Sequence, residues 1–358
     1  MNIVVDIGHP AHVHLFRNFI VRMRGHGHRV LITAAEKDIA QPLLRSYGLD
    51  FISVGRTGKG FIRKVLSVSV LDYNLYQAVK DFHPDLLIGH GSIRCAHVAK
   101  YLGAPSLILA DTEATWKEHI LYAPFACVIA SSTSFERDFG AKHVRHGGYH
   151  ELAYLHPDHF QPDPTVLHKA GLQEKDVFFV IRFISWDATH DIGHHGFSSN
   201  GKKELVRLLN RFGRVFISSE GMLPAEFEQN RFPLAPRYMH DLLAYASLCV
   251  SEGATMASEA AVVGTPAVFV STLVHGYIKE QENRYQLVRT FADETAALKA
   301  IEEMVRGGHA KREWQKKREV MLGEKIDLTR WMVEFVEHGI WGRVTKPKFA
   351  RCLAHGER

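Results

Sequence analysis

Short apolar runs alternate along this chain with stretches whose apolar residues recur at helical spacing, and polar or glycine-rich turns separate the two. Residues 3–7 read as a strand that ends in Gly8-His9-Pro10-Ala11-His12-Val13-His14. Val13, Phe16, Ile20, Val21 and Met23 then fit one face of a helix, which Gly25 and Gly27 close. A strand over 29–33 follows, and further strands are expected at 51–54, 86–89, 106–110 and 127–131. Such alternation builds a doubly wound parallel sheet, because parallel neighbours are joined by a crossover that covers a face of the sheet.

The alternation lapses over 147–171, where Pro157, Pro162 and Pro164 mark a crossover between domains. It resumes with a nearly continuous apolar strand over 177–184, a polar loop over 186–196, a helix over 203–211 and a strand over 215–218. Residues 239–270 then form the clearest unit. Leu242, Leu243 and Ala246 recur at helical spacing, 248–250 is a strand, and Ser251-Glu252-Gly253 is a turn. A helix of small residues over 254–263 is stopped by Gly264 and Pro266 before a buried strand over 267–270. Beyond it the chain is expected to be mostly helical, over 279–287, 294–306, 311–325 and 331–336. The expected class is α/β, with two Rossmann-like doubly wound domains facing a cleft. The expected domains are residues 1–160, residues 161–325, and a last helix and basic tail over 326–358, left open to pack back on the first domain.

Ligands of such sheets collect beyond the carboxyl ends of the strands. Three groups fall there in the first half: the His9/His12/His14 turn, Gly89-His90-Gly91-Ser92, and Asp111-Thr112-Glu113. In the second half Ser251, Gly253, Ala254 and Thr255 are small enough for a ligand to reach the unpaired N–H groups of a helix start, where the macrodipole favours a diphosphate. Glu252 lies in the same turn. Glu259, one turn further on, is placed to accept hydrogen bonds from ribose hydroxyls; a solvated helix residue is the plain alternative. Arg182, a charge at the end of an apolar strand, needs a partner, either a phosphate or a salt bridge to Asp187 or Asp191. His190, His194 and His195 cluster in sequence, but their spacing matches no standard metal motif.

Composition narrows the class. The chain has 358 residues, 46% of them hydrophobic, enough for more than one core. No apolar run is long enough to cross a bilayer, and the start has no basic stretch of a secretory signal, so a cytoplasmic protein is expected. The four cysteines show no paired spacing and give no zinc pattern. A net charge of +5 suits an anionic small substrate or a peripheral contact of the basic tail with acidic lipid, and is too small to imply nucleic acid.

Two α/β halves with a nucleotide-type unit in the second resemble the GT-B glycosyltransferases. Residues 239–270 resemble the C-terminal domain of the non-hydrolysing UDP-N-acetylglucosamine 2-epimerases and their transferase relatives. Over nearly its full length the chain is similar to the DUF354 proteins, on 6–14 (Asp-Ile-Gly-His-Pro-Ala-His-Val-His), 148–157 (Gly-Tyr-His-Glu-Leu-Ala-Tyr-Leu-His-Pro) and 182–188 (Arg-Phe-Ile-Ser-Trp-Asp-Ala). The epimerase pattern has His-Gly-Asp where this chain has His90-Gly91-Ser92, and its His-Arg-Arg-Glu-Asn motif is absent here. Glu113 does resemble the glutamate of the epimerase Val-Glu-Ala-Gly segment.

The resemblance implies a metal-independent glycosyltransferase, without cofactor, that moves a sugar from a UDP-linked donor to a carbohydrate or lipid-linked acceptor in glycan or cell-surface polysaccharide synthesis. His12 is similar to the histidine of the first loop in MurG-like transferases, and His9 to the Gly-His of plant-type transferases. Either of these, or His14, is a candidate base, with Asp111 or Glu113 orienting it or acting in its place. Arg182, Ser251, Glu252, Gly253, Ala254, Thr255 and Glu259 are the candidate donor-binding residues. A UDP-sugar 2-epimerase or hydrolase, and a non-catalytic nucleotide-sugar-binding protein, are the alternatives.

Overall fold

Buried strands of a parallel sheet need helices on both faces, and the chain meets that demand twice. The computed structural model describes all residues except 38, 57–60, 185–195, 220–221, 309–310 and 339–358, and it leaves the side chains of 61–66 undescribed. The polar loop expected over 186–196, with Trp186, Asp187, His190, Asp191, His194 and His195, therefore lies almost wholly outside the described residues, as does the basic tail.

The chain divides into two compact units, one formed by Met1–Tyr154 with the segment from Ile326 onward, the other by Leu155–Lys325. The first runs β1 (Asn2–Ile7), α1 (Pro10–Gly25), β2 (Arg29–Ala35), α2 (Ala40–Ser46), β3 (Ile52–Gly55), α3 (Phe61–Val79), β4 (Leu86–His90), α4 (Ile93–Leu102), β5 (Ser106–Ala110), α5 (Trp116–Tyr122), β6 (Val128–Ser132) and β7 (His143–His146). The second runs α6 (Thr165–Lys169), β8 (Phe178–Phe183), α7 (Ser199–Asn210), β9 (Arg214–Ser219), α8 (Met239–Tyr245), β10 (Leu248–Ser251), α9 (Ala254–Val263), β11 (Ala267–Val270), α10 (Gly276–Asn283), β12 (Val288–Phe291), α11 (Glu294–Arg306) and α12 (Lys311–Glu324). A last helix, α13 (Leu328–Glu337), returns to the first unit. There it packs on α1, and Glu337 bonds both His26 and His28.

Among the described residues the first sheet has the order β3-β2-β1-β4-β5-β6-β7 and the second β12-β11-β10-β8-β9, and every pairing is parallel. In each, strand order reverses once, between β1 and β4 and between β8 and β10, and a crevice opens at such a point because the flanking connections leave on opposite faces. Two short strands depart from the expected pattern. Both β7 and β12 are four-residue edge strands, and β12 interrupts a region expected to be helical beyond Val270. Their sequences, His-Val-Arg-His and Val-Arg-Thr-Phe, lack the apolar run that marks the other short strands, and pairing with β6 and β11 makes them strands.

Local chemistry sets the element ends that matter for the sites. Pro10 occupies the first position of α1, where its missing N–H costs nothing, and the His9 side chain caps the helix by accepting from the Ala11 N–H at 3.2 Å. The Ser92 hydroxyl caps α4, accepting from the Cys95 N–H at 3.2 Å. Gly264 ends α9 with φ 79°, a left-handed conformation that an L side chain adopts at a cost.

One buried carboxylate ties the first switch point together. Asp6, fully buried on β1, accepts from Thr33 Oγ1 on β2 at 2.9 Å, Ser92 Oγ at 2.5 Å and Arg94 Nε at 3.0 Å. Arg94 also donates to the Ile7 carbonyl at 3.1 Å, so the end of β1 is held to the start of α4. Replacing Asp6 by Ala leaves a nearly buried guanidinium and two hydroxyls without their acceptor. We predict a loss of about 3–5 kcal/mol in the unfolding of this unit, measured by chemical denaturation; a loss below about 1 kcal/mol, the value of an ordinary surface pair, would contradict this account.

Candidate functional site

In the first unit the turn after β1 presents two histidines whose tautomers are set by backbone amides. His9 Nδ1 accepts from Ala11 N–H and His12 Nδ1 from Gly8 N–H, both at 3.2 Å. A neutral ring that accepts at Nδ1 carries its proton on Nε2, so both rings offer a donor there rather than a lone pair. Burial, with His90 and His9 close by, holds the His12 pKa well below its ordinary value, which keeps the ring neutral. His14 lies elsewhere: it is buried between Tyr47, whose hydroxyl is 3.4 Å from Nδ1, and the ring of Tyr154 at 5.3 Å.

Asp111, just past β5, is the centre of the group. Its Oδ1 lies 3.0 Å from His90 Nε2 at the end of β4, and accepts from the Thr112 hydroxyl at 2.8 Å. Its Oδ2 lies 3.2 Å from His150 Nδ1, on the short helical turn His150–Ala153 that follows β7. Burial works to raise the Asp111 pKa, but the fields of His90 and His150 and their hydrogen bonds outweigh it and hold the carboxyl well below its usual range. The ring of His12 stands 4.6 Å from that of His90, and the ring of His150 at 5.0 Å. His90 and Asp111 are partly exposed, whereas His150 is buried. The ends of β4 and β5 and the turn after β7 therefore meet at one carboxylate whose open side reaches solvent, with the turn after β1 set against His90.

Two neighbours complete this picture. Glu113 accepts from the Glu136 N–H at 3.3 Å. His119 on α5 faces Arg137 Nη1 at 2.9 Å through Nδ1 and Thr115 Oγ1 at 3.0 Å through Nε2. A guanidinium only donates, so Nδ1 must accept, and burial together with Arg137 lowers the His119 pKa to about 4.

In the second unit the candidate residues lie at the β8/β10 switch point. The Ser251 hydroxyl accepts from the Gly253 N–H at 3.0 Å and donates to the Gly253 carbonyl at 2.6 Å, closing the turn. Gly253 precedes α9 with no side-chain cap, and Gly253, Ala254, Thr255 and Met256 are half-buried, so the first-turn amides end in an uncapped, partly exposed helix start. The carboxylates nearby are turned to structural partners. Glu252 accepts from the Ile184 and Phe197 amides at 3.0 and 2.9 Å and pairs with Lys202 at 3.2 Å; burial raises its pKa in spite of them. Glu259 is buried, with His240 Nε2 on α8 at 2.9 Å from its Oε1. Arg182 Nη1 donates to Ser218 Oγ at the end of β9 at 2.7 Å. Among the described residues no helix is long and apolar enough to cross a membrane.

The model of one protein family, described as "Protein of unknown function (DUF354)", matches residues 1–196, more than half the chain. The chain belongs to the DUF354 family. No curated protein matches this DUF354 protein in sequence. Among solved structures it is similar to a Listeria monocytogenes protein assigned as a UDP-N-acetylglucosamine 2-epimerase (TM-score 0.69, 11% identity, 94% of this chain and 96% of that one). It is also similar to the Neisseria meningitidis UDP-GlcNAc 2-epimerase bound to UDP-GlcNAc (TM-score 0.62, 11% identity, 94% and 99%). A Streptomyces sp. SF2575 glycosyltransferase complexed with thymidine diphosphate is similar as well (TM-score 0.60, 16% identity, 93% and 99%). At these identities the likeness concerns the fold, and the DUF354 protein has the GT-B fold.

The structure thus gathers His9, His12 and Asp111 around His90, which the sequence placed among the strand-end groups without giving it a role, and adds His150, which it had not placed there. Their signals were present: His90 ends a strand in the His-Gly-Ser turn, and His150 lies within the 148–157 family motif. His12, His119 and His150 all have folded-state pKa values below the ordinary 6.5. As pH falls the unfolded chain therefore binds protons first. The stability they contribute is full above about pH 6.5 and is lost as pH falls through their folded values. Histidine NMR should find His119 titrating at about 4; an ordinary titration near 6.5 would show that the ring is neither buried nor held against Arg137 in solution.

Proposed function

We propose that this protein is a glycosyltransferase that moves a sugar from a nucleotide-sugar, UDP-linked, to a hydroxyl of a carbohydrate or lipid-linked acceptor. The observation that carries this reading is the uncapped start of α9 at the switch point of the second sheet. Amides there would bind the donor diphosphate and stabilise it as it leaves. The nucleotide-sugar and nucleoside diphosphate bound by two proteins of similar fold support it.

The first unit would supply the proton chemistry. The acceptor hydroxyl must lose its proton as the anomeric carbon develops positive charge. With His90 Nε2 directed at Asp111, a neutral ring would carry its proton on Nε2 and leave Nδ1 as the nitrogen that accepts from the hydroxyl. His9 and His12, fixed as Nε2 donors, would hydrogen-bond substrate oxygens rather than remove protons. The same fold favours a second reading, a UDP-sugar 2-epimerase or hydrolase. Against epimerisation, Ser92 stands where the epimerase pattern has an acid, and here it caps α4 and bonds Asp6.

Three measurements test the proposal. UDP should raise the melting temperature of the wild-type protein, and Thr255→Glu, which puts a negative charge at the start of α9, should remove that shift without changing the fold. His90→Ala and Asp111→Asn should keep the UDP shift and lower turnover by about 100-fold or more. In NMR of UDP-N-acetylglucosamine with enzyme alone the donor should persist; an epimer or free sugar appearing without acceptor would replace transfer by the second reading.

A further inference from the structure

We propose that His90, Asp111 and His150 form a binding site for one divalent first-row transition ion, departing from the metal independence that the GT-B resemblance implies. Ligating atoms of the three residues all lie within 4.8 Å of one another. The two shortest separations, 3.0 Å from Asp111 Oδ1 to His90 Nε2 and 3.2 Å from Oδ2 to His150 Nδ1, are those of neighbouring donors around an ion at about 2.1 Å. Two imidazoles and a carboxylate suit zinc, manganese, iron or cobalt rather than calcium or magnesium, which prefer oxygen donors throughout.

The placement also fits a reactive ion rather than a structural one. The donors come from the end of β4, the residue just past β5 and the turn after β7; β4 and β5 are paired, with His90 opposite Leu109, so two of the donors lie at neighbouring strand ends before any ion arrives. His150 closes the buried side, while His90 and Asp111 are partly exposed, leaving positions open to solvent or substrate oxygen. Such an ion would lower the pKa of a bound hydroxyl, and His90 would then act as a ligand instead of a base. The inference does not rest on the transferase reading, because ion binding is measured without nucleotide or acceptor.

Protein stripped with EDTA should take up one equivalent of Zn²⁺ in calorimetry and one of Co²⁺ by absorption in the ligand-field bands. Asp111→Asn and His150→Ala should weaken that uptake by about 100-fold or more, whereas His168→Ala, on α6 of the other unit, should leave it unchanged. UDP-induced stabilisation should survive in all three variants. Should His150→Ala fail to fold, histidine-labelled wild-type protein gives a second readout, since Co²⁺ should displace the His90 and His150 signals first. No saturable uptake, uptake that Asp111→Asn leaves intact, or paramagnetic shifts centred on other histidines would each overturn the proposal.

Discussion

A carboxylate that has lost all its water must be satisfied by fixed donors, and Asp6 is the case on which the first unit turns. Its three donors belong to β2, to the start of α4 and to an arginine that also reaches the end of β1. Satisfying it therefore fixes where the chain leaves β1 and where it enters α4, the two connections that flank the switch point. The histidine turn after β1 and His90 at the end of β4 inherit that placement.

The two candidate sites use opposite electrostatic designs. In the first unit an ionised carboxylate is surrounded by imidazoles, and backbone amides decide which nitrogen of His9 and His12 holds the proton. In the second, acidic side chains are withdrawn: Glu252 spends its oxygens on two amides and a lysine, and Glu259 has His240 beside it. Among the described residues, what is left at the start of α9 is a set of uncapped amides whose neighbouring carboxylates already have partners.

Much of the fold could be read from residue spacing. The helix expected over 254–263 and the strand over 267–270 coincide with α9 and β11, because small residues ended by Gly264 and Pro266 leave little freedom in where the helix stops. The edge strands β7 and β12 could not be read, since their identity lies in the neighbour they pair with. Site residues divided in the same way. His9, His12 and Asp111 were legible as polar residues just past strand ends, but His14, one turn-position on, is buried against Tyr47 and Tyr154 instead.

By itself the sequence determined that there would be two parallel sheets, where most strands end, and that small residues would surround one helix start; these follow from local periodicity and local sterics. Only the tertiary structure decided that His90 and His150 meet on Asp111, that Glu252 and Glu259 serve internal partners, and that Ser92 belongs to Asp6. Hydrogen bonds and charge interactions act over a few ångströms of space, and the residues concerned are far apart along the chain until the sheet order brings their strand ends side by side.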